Sequence, residues 1–301
     1  MSKEFNGTTT NPLSEFRFNH RLRVRWSEVD LQKVVFNPHY LTYFDVAIAQ
    51  YWRGLALPYE ETLKSLEGDL LVKKASLEYN GSALFDETLS ICLRCAKIGR
   101  TSMTFMGEIF RDAHSLVKGE LIYVFVDAHT RTPKPIPDSL RNLLTNFEDG
   151  QDVTYLRLGS WSDLKDDALK IRHDVFVFEQ GVPAEIEEDE FDALSVHAVL
   201  YNALDLPVAT GRLVKDPSLE QHHTSRIGRM AVRRDLRGSY WGSKILGALQ
   251  EVSKSHGDVF ITLHAQVHAK AFYEKHGFKQ SGEIFDEAGI PHIEMHKTVK
   301  D

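Results

Sequence analysis

Between residues 16 and 26 apolar side chains recur on alternate positions, Phe16, Phe18, Leu22, Val24 and Trp26, which predicts a strand with one buried face. The period then lengthens. From Tyr40 the apolar residues are Tyr40, Tyr43, Phe44, Ala47, Ile48, Tyr51 and Trp52, the spacing of a helix with one wide buried stripe. Strand-like stretches follow at about 69–81, 88–98, 101–111 and 115–130, separated by turn signals such as Asn80-Gly81 and Gly99-Arg100. One strand, one long apolar helix and a meander make an α+β pattern.

Pro133, Pro135 and Pro137 close this block, and an amphipathic piece from Leu140 to Phe147 leads to Glu148-Asp149-Gly150. The proline punctuation places a boundary there, giving domains at 1–149 and 150–301. Beyond it the pattern changes. A strand at Val153–Leu158 precedes a helix carrying Leu164, Ala168, Ile171, Val175 and Phe176, then an acidic loop from Glu185 to Asp192. Strands are expected at about 196–202, 206–214, 226–232 and 259–264, helices at about 243–255 and 267–276, and two strands at the end. Such alternation predicts a mixed α/β domain.

The 301 residues are 42% hydrophobic, enough for two packed cores. A net charge of -7 excludes a general nucleic-acid binder, which would carry a basic excess. The start, Met1 to Pro12, is polar, and no run approaches the ~20 apolar residues that span a bilayer, so a soluble, cytoplasmic protein is expected. Cys92 and Cys95, three apart on a strand, face opposite ways and can share neither a bridge nor a metal. No metal site is expected.

The segment Trp26-Ser27-Glu28-Val29-Asp30-Leu31-Gln32-Lys33-Val34-Val35-Phe36-Asn37-Pro38-His39-Tyr40 joins the first strand to the helix. Asn37 suits an N-cap and Pro38 the first helical position, so free amides are expected near Asp30. A helix N-terminus stabilises an oxygen gaining negative charge, and a carboxylate can activate water or attack a carbonyl. Asp30 could equally cap a turn or pair with Arg25. The stretch resembles the hotdog acyl-CoA thioesterases of the 4-hydroxybenzoyl-CoA thioesterase type, with Glu28, Asp30, Val35, Tyr40 and Asp45 on the family pattern and similarity over 16–147. That resemblance implies an antiparallel sheet wrapped around a long helix, with Asp30 as catalytic carboxylate and the Asn37 amide as carbonyl donor. It also implies a dimer or higher oligomer that buries the helix stripe. Lys33 stands where the family has glycine and Asn37 where many relatives have histidine. Hotdog hydratases use a His and Asp pair, which His39 leaves open.

Residues 226–246 run from a strand through an Arg/Gly turn into a helix with Ile245, Leu246, Leu249 and Val252 on one face. Glycines at 238 and 242 let amides converge into an anion nest. One strand later comes Ala271-Phe272-Tyr273-Glu274-Lys275-His276-Gly277-Phe278. Together these segments resemble the GNAT acetyltransferases, and Ile171 to Pro183 with Gly289-Ile290-Pro291-His292 resembles their ElaA-like branch, over about 153–299. The resemblance implies that Met230 and Val232 bond the pantetheine arm of acetyl-CoA through their backbone. It implies that Arg237, Gly238, Gly242 and Ser243 hold the pyrophosphate and that Tyr273 protonates the departing thiolate. Tyr240 takes the place of the middle glycine. Glu179, His264 and His292 are candidate bases, and the acidic loop is either a solvated face or a lure for a cationic amine.

The combined expectation is a bifunctional enzyme that hydrolyses acyl-CoA in one half and transfers acetyl from acetyl-CoA to an amine of unknown identity in the other. The alternative is that one half is a non-catalytic acyl-CoA-binding or dimerisation module regulating its neighbour.

Overall fold

A computed structural model describes residues 12–215 and 223–299, and the chain divides into two compact units, Met1–Val153 and Thr154–Asp301. The polar start up to Asn11 lies outside the described residues.

In the first unit β1 (Phe18–Arg23), β2 (Gly68–Tyr79), β3 (Thr88–Ile98), β4 (Ser102–Arg111) and β5 (His114–Asp127) form one antiparallel sheet, ordered β1-β3-β4-β5-β2. Helix α1 (Pro38–Gly54) lies against it with Tyr43, Phe44, Ala47 and Tyr51 fully buried. The helix approaches closely because Gly107 and Gly119 face each other in register and leave a slot for Phe44. A β-carbon on Gly107 would stand 2.4 Å from the Phe44 ring, and one on Gly119 2.8 Å. The helix stripe is therefore covered by its own sheet, which corrects the expectation that a subunit interface buries it.

Two short helices join the unit, α2 (Tyr59–Ser65), which the periodicity did not reveal, and α3 (Asp138–Glu148), which buries Leu140, Leu143, Leu144 and Phe147. The first strand ends sooner than its alternation predicts. Trp26 sits in a single 3-10 turn and is 78% exposed. The cause is Glu28, whose buried carboxylate accepts hydrogen bonds from the Arg25 amide and Nε, both 2.7 Å, and from the Tyr43 hydroxyl at 2.8 Å. These bonds curl the chain at Arg25. Both cysteines are free and buried, and burial pushes their thiols up to about 12. Arg17 donates to the carbonyls of Phe147 and Gln151, tying the segment after α3 to β1's neighbourhood.

The second unit is a mixed α/β fold. Its strands are β6 (Thr154–Gly159), β7 (Ser195–Asn202), β8 (Pro207–Val214), β9 (Thr224–Val232), β10 (Phe260–Gln266), β11 (Lys279–Glu287) and β12 (Ile290–Thr298). They are ordered β11-β12-β10-β9-β8-β7-β6, with β9 and β10 parallel. Helices α4 (Trp161–Arg172), α5 (Trp241–Ser255) and α6 (Lys270–Lys275) accompany the sheet, and α4 runs on into a π-helical segment, His173–Glu179. Two irregularities open the sheet. β9 and β10 pair only between Thr224–Ile227 and Phe260–Leu263, so their remaining residues separate. Opposite, the β8–β9 register slips between Thr210 and Arg212, with Arg229 at φ 49. Among the described residues no helix is long and apolar enough to cross a membrane.

Candidate active sites

The separated ends of β9 and β10 open on a cavity of about 790 Å³. Met230 and Val232 from β9, Arg237, Gly238 and Gly242 from the turn into α5, and Tyr273 of α6 all line it. Ser243, in the first turn of α5, is off its wall. Gly238 has φ 83, a conformation that favours glycine, whereas Tyr240 has φ -82 and a side chain 81% exposed. The absent middle glycine thus costs no backbone strain. Tyr273 is buried between Phe272 and Phe278, and its hydroxyl has no hydrogen-bond partner among the described residues. Burial raises its pKa, so the phenol stays protonated.

Arg237 is not idle in this structure. Its Nη1 and Nη2 donate to the two carboxylate oxygens of Glu179 at 2.6 Å each, and its Nε donates to the Val232 carbonyl at 3.0 Å. Of the candidate bases, Glu179 is thereby occupied. His292 is buried with Nδ1 2.8 Å from the Ile290 carbonyl, and His264 Nδ1 lies 3.0 Å from Glu287 Oε2.

The acidic loop divides: Glu185, Glu188 and Glu190 are exposed, while its other carboxylates are taken up by arginines. Glu187 and Asp192 are buried, and both meet the buried Arg172, Asp192 at 2.7 Å. Arg212 bonds Asp189 through both terminal nitrogens at 2.6 Å and Asp192 at 2.6 Å, while Arg229 reaches Asp189 at 3.0 Å. Three arginines thus balance three carboxylates. Burial alone would raise the Asp192 pKa, but Arg172 and Arg212 hold it at about 2. Desolvation disfavours the charged form of Arg229 and lowers its pKa.

In the first unit a short hairpin carries Asp30. Val29 bridges Val35, the Asp30 amide donates to the Val34 carbonyl at 2.9 Å, and Lys33 donates to the Asp30 carbonyl at 2.9 Å. Lys33 takes φ 62, where glycine would be unstrained, at a cost of roughly 1 kcal/mol, and its side chain is exposed. Asp30 Oδ1 accepts from the Gln32 amide at 2.7 Å, so the turn-capping role is real. The pairing with Arg25 is not, because Glu28 holds Arg25. Asn37 stands at the N-cap position and Pro38 opens α1 as expected, but Asn37 is in a helical conformation and makes no side-chain cap. Its amide donates to no protein group among the described residues, and its carbonyl accepts from the Tyr79 hydroxyl at 3.3 Å. His39 packs edge-on against Phe36. Burial raises the Asp45 pKa, which the Tyr123 hydroxyl partly offsets.

Comparison with known proteins matches the two units to families. The domain family described as Acetyltransferase (GNAT) domain matches residues 163–299. The Bacillus subtilis (strain 168) protein YyaT, described as uncharacterized, is 36% identical over 146 residues, 48% of this chain and 94% of its own length. YjcF of the same organism, described as an uncharacterized N-acetyltransferase, is 38% identical over 133 residues, 44% of this chain and 90% of its own. The chain belongs to the GNAT acetyltransferases through this second unit. Residues 24–144 match the Thioesterase-like superfamily, so a thioesterase-like hotdog domain precedes the GNAT domain. A solved 1,4-dihydroxy-2-naphthoyl-CoA thioesterase from Synechocystis is 16% identical, covering 44% of this chain and 97% of its own, with a TM-score of 0.41.

Within the GNAT domain the structure gathers Met230, Val232, Arg237, Gly238, Gly242 and Tyr273 on one cavity. Sequence reasoning missed Arg172, Arg212, Arg229 and Glu287, each from a different segment. Arg172 lies in an otherwise amphipathic helix and Arg212 in a fully buried strand. A charge inside an apolar pattern was the available signal, since a buried arginine demands carboxylate partners.

Proposed function

We propose that the chain is a bifunctional CoA-dependent enzyme. Residues 1–149 hydrolyse an acyl-CoA thioester, and residues 150–301 transfer an acetyl group from acetyl-CoA to an amine. The observation that carries the second activity is the unpartnered Tyr273 hydroxyl on the cavity beside the splayed strands. A protonated phenol there can give its proton to the departing thiolate. The backbone of Met230 and Val232 would align the pantetheine arm, and the amides around Gly238 and Gly242, with Ser243 and Arg237, the pyrophosphate.

Hydrolysis is supported by two groups of one short segment, the hairpin carboxylate of Asp30 and the uncommitted amide of Asn37 at the start of α1. The amide would take the thioester carbonyl while Asp30 activates water or attacks the carbon. The first unit also ends its sheet on β2, where Leu71 and Val72 are exposed on an unpaired edge. A second copy pairing there would make the protein at least a dimer.

Two assays on the full chain test both halves. Asp30→Asn should lower CoA release from acyl-CoA by ~100-fold or more and leave acetyl transfer to an amine intact. Tyr273→Phe should do the reverse. Loss of both activities in either variant, or of neither, would sink the assignment.

A further inference from the structure

An amine that attacks a thioester must first lose a proton, which a primary alkylammonium holds with a pKa of ~10. Glu179 is filled by the two nitrogens of Arg237, and His292 is enclosed with Nδ1 against the Ile290 carbonyl. His264 is placed differently. Its Nδ1 lies 3.0 Å from Glu287 Oε2, and among the described residues no protein group meets its Nε2. The two residues stand on β10 and at the end of β11, strands that β12 separates in the sheet. Both line the cavity that also receives Tyr273. Phe285 packs edge-on against the His264 ring at 4.9 Å, while the His264–Glu287 pair itself stays open to solvent. The other charged or titratable groups that face Glu287 are His292 and Arg229.

On the reading of this cavity as an acetyl-transfer site, we propose that His264 is its catalytic base and Glu287 the residue that positions it. The carboxylate fixes the Nδ1–H tautomer, leaving a lone pair on Nε2, and stabilises the imidazolium that forms. In the reaction Nε2 takes one proton from the ammonium, and the freed nitrogen pair forms the N–C bond to the acetyl carbon. The C–S bond then breaks with its electron pair on sulfur. Tyr273 protonates that sulfur and is reprotonated by the second proton leaving nitrogen, while the first passes from His264 to solvent. The substrate class follows: primary alkylamines that are charged in water, for which a base is obligatory.

The test compares two nucleophiles on the full-length protein with acetyl-CoA. One is a panel of primary alkylamines, and the other is hydroxylamine, which is already unprotonated at neutral pH. His264→Gln should lower kcat/KM for alkylamines by ~100-fold or more, with a far smaller loss for hydroxylamine. Glu287→Gln should move the same ratio by about 10-fold, and His292→Gln should leave the ratio where it was. Calorimetric binding of CoA verifies that the variants are folded. Equal loss toward both nucleophiles would reduce His264 to a structural residue, and a shifted ratio in His292→Gln would move the base there; either overturns the proposal. A wild type that acetylates neither nucleophile overturns the acetyl-transfer reading itself, and the base with it.

Discussion

Arg237 and Glu179 meet through two parallel hydrogen bonds of 2.6 Å each, a fork on a carboxylate. The arginine holds the Glu179 carboxyl below its ordinary pKa, so the pair is charged at neutral pH. A pyrophosphate that engages Arg237 has to displace Glu179. Glu179→Gln should therefore tighten CoA binding by about 3-fold to 10-fold, and Arg237→Ala should weaken it by about 10-fold. Calorimetric titration decides between competitor and anchor: weakened binding in both variants would mean that Glu179 positions the arginine for its ligand.

The turn into α5 and the phenol of Tyr273 should separate binding from turnover. A β-carbon at Gly242 would make ordinary contacts with Val232 at 3.4 Å and Phe272 at 3.5 Å, so Gly242→Glu is compatible with folding. Its carboxylate would repel the pyrophosphate and weaken CoA binding by ~100-fold, roughly 3 kcal/mol. Tyr273→Phe should keep CoA affinity and slow acetyl transfer, because its hydroxyl acts as the thiolate leaves. Tight CoA binding by Gly242→Glu would show the nest to be elsewhere.

The buried ion pairs make the second unit sensitive to acid. Asp192 has a folded pKa of about 2, below the ordinary value of ~3.9, so its stabilisation is complete above about pH 4 and lost as the pH falls toward 2. Asp192→Asn leaves Arg172 and Arg212 short of a partner and should cost about 3 kcal/mol at pH 7. It should also flatten the loss of stability between about pH 4 and 2. Denaturant unfolding across that range reads both effects, and an unchanged acid slope would contradict them.

The slot under Phe44 predicts a packing cost. Gly107→Ala would place a β-carbon 2.4 Å from the ring and 2.9 Å from Leu93, forcing α1 away from the sheet. The first unit should lose about 1–3 kcal/mol, read as a lower midpoint in its thermal unfolding. A variant as stable as the wild type would mean that Phe44 can turn aside.

Local order was legible in the sequence. The stripe from Tyr40 to Trp52 gives a helix because its period matches 3.6 residues, and Gly238 reads as a turn because its backbone needs a positive φ. The motif residues from Met230 to Gly242 and Tyr273 could be named because short spacings along the chain encode a strand, a turn and a helix start. Trp26 misled for the same reason: alternation marks a face, while the buried Glu28 bonding Arg25 and Tyr43 ends the strand before that face is used.

What only the tertiary structure decided depends on contacts between distant segments. His264 and Glu287 are 23 residues apart and on strands that are not neighbours, so their meeting follows from sheet order. The run from Glu185 to Asp192 looks like a solvated face, because charge in a sequence carries no sign of burial. Glu185, Glu188 and Glu190 do stay exposed, but Glu187 and Asp192 are buried by Arg172, Arg212 and Arg229, which arrive from α4, β8 and β9. Desolvation and long-range pairing act on positions in space, and a linear pattern records only the neighbours that the backbone itself supplies.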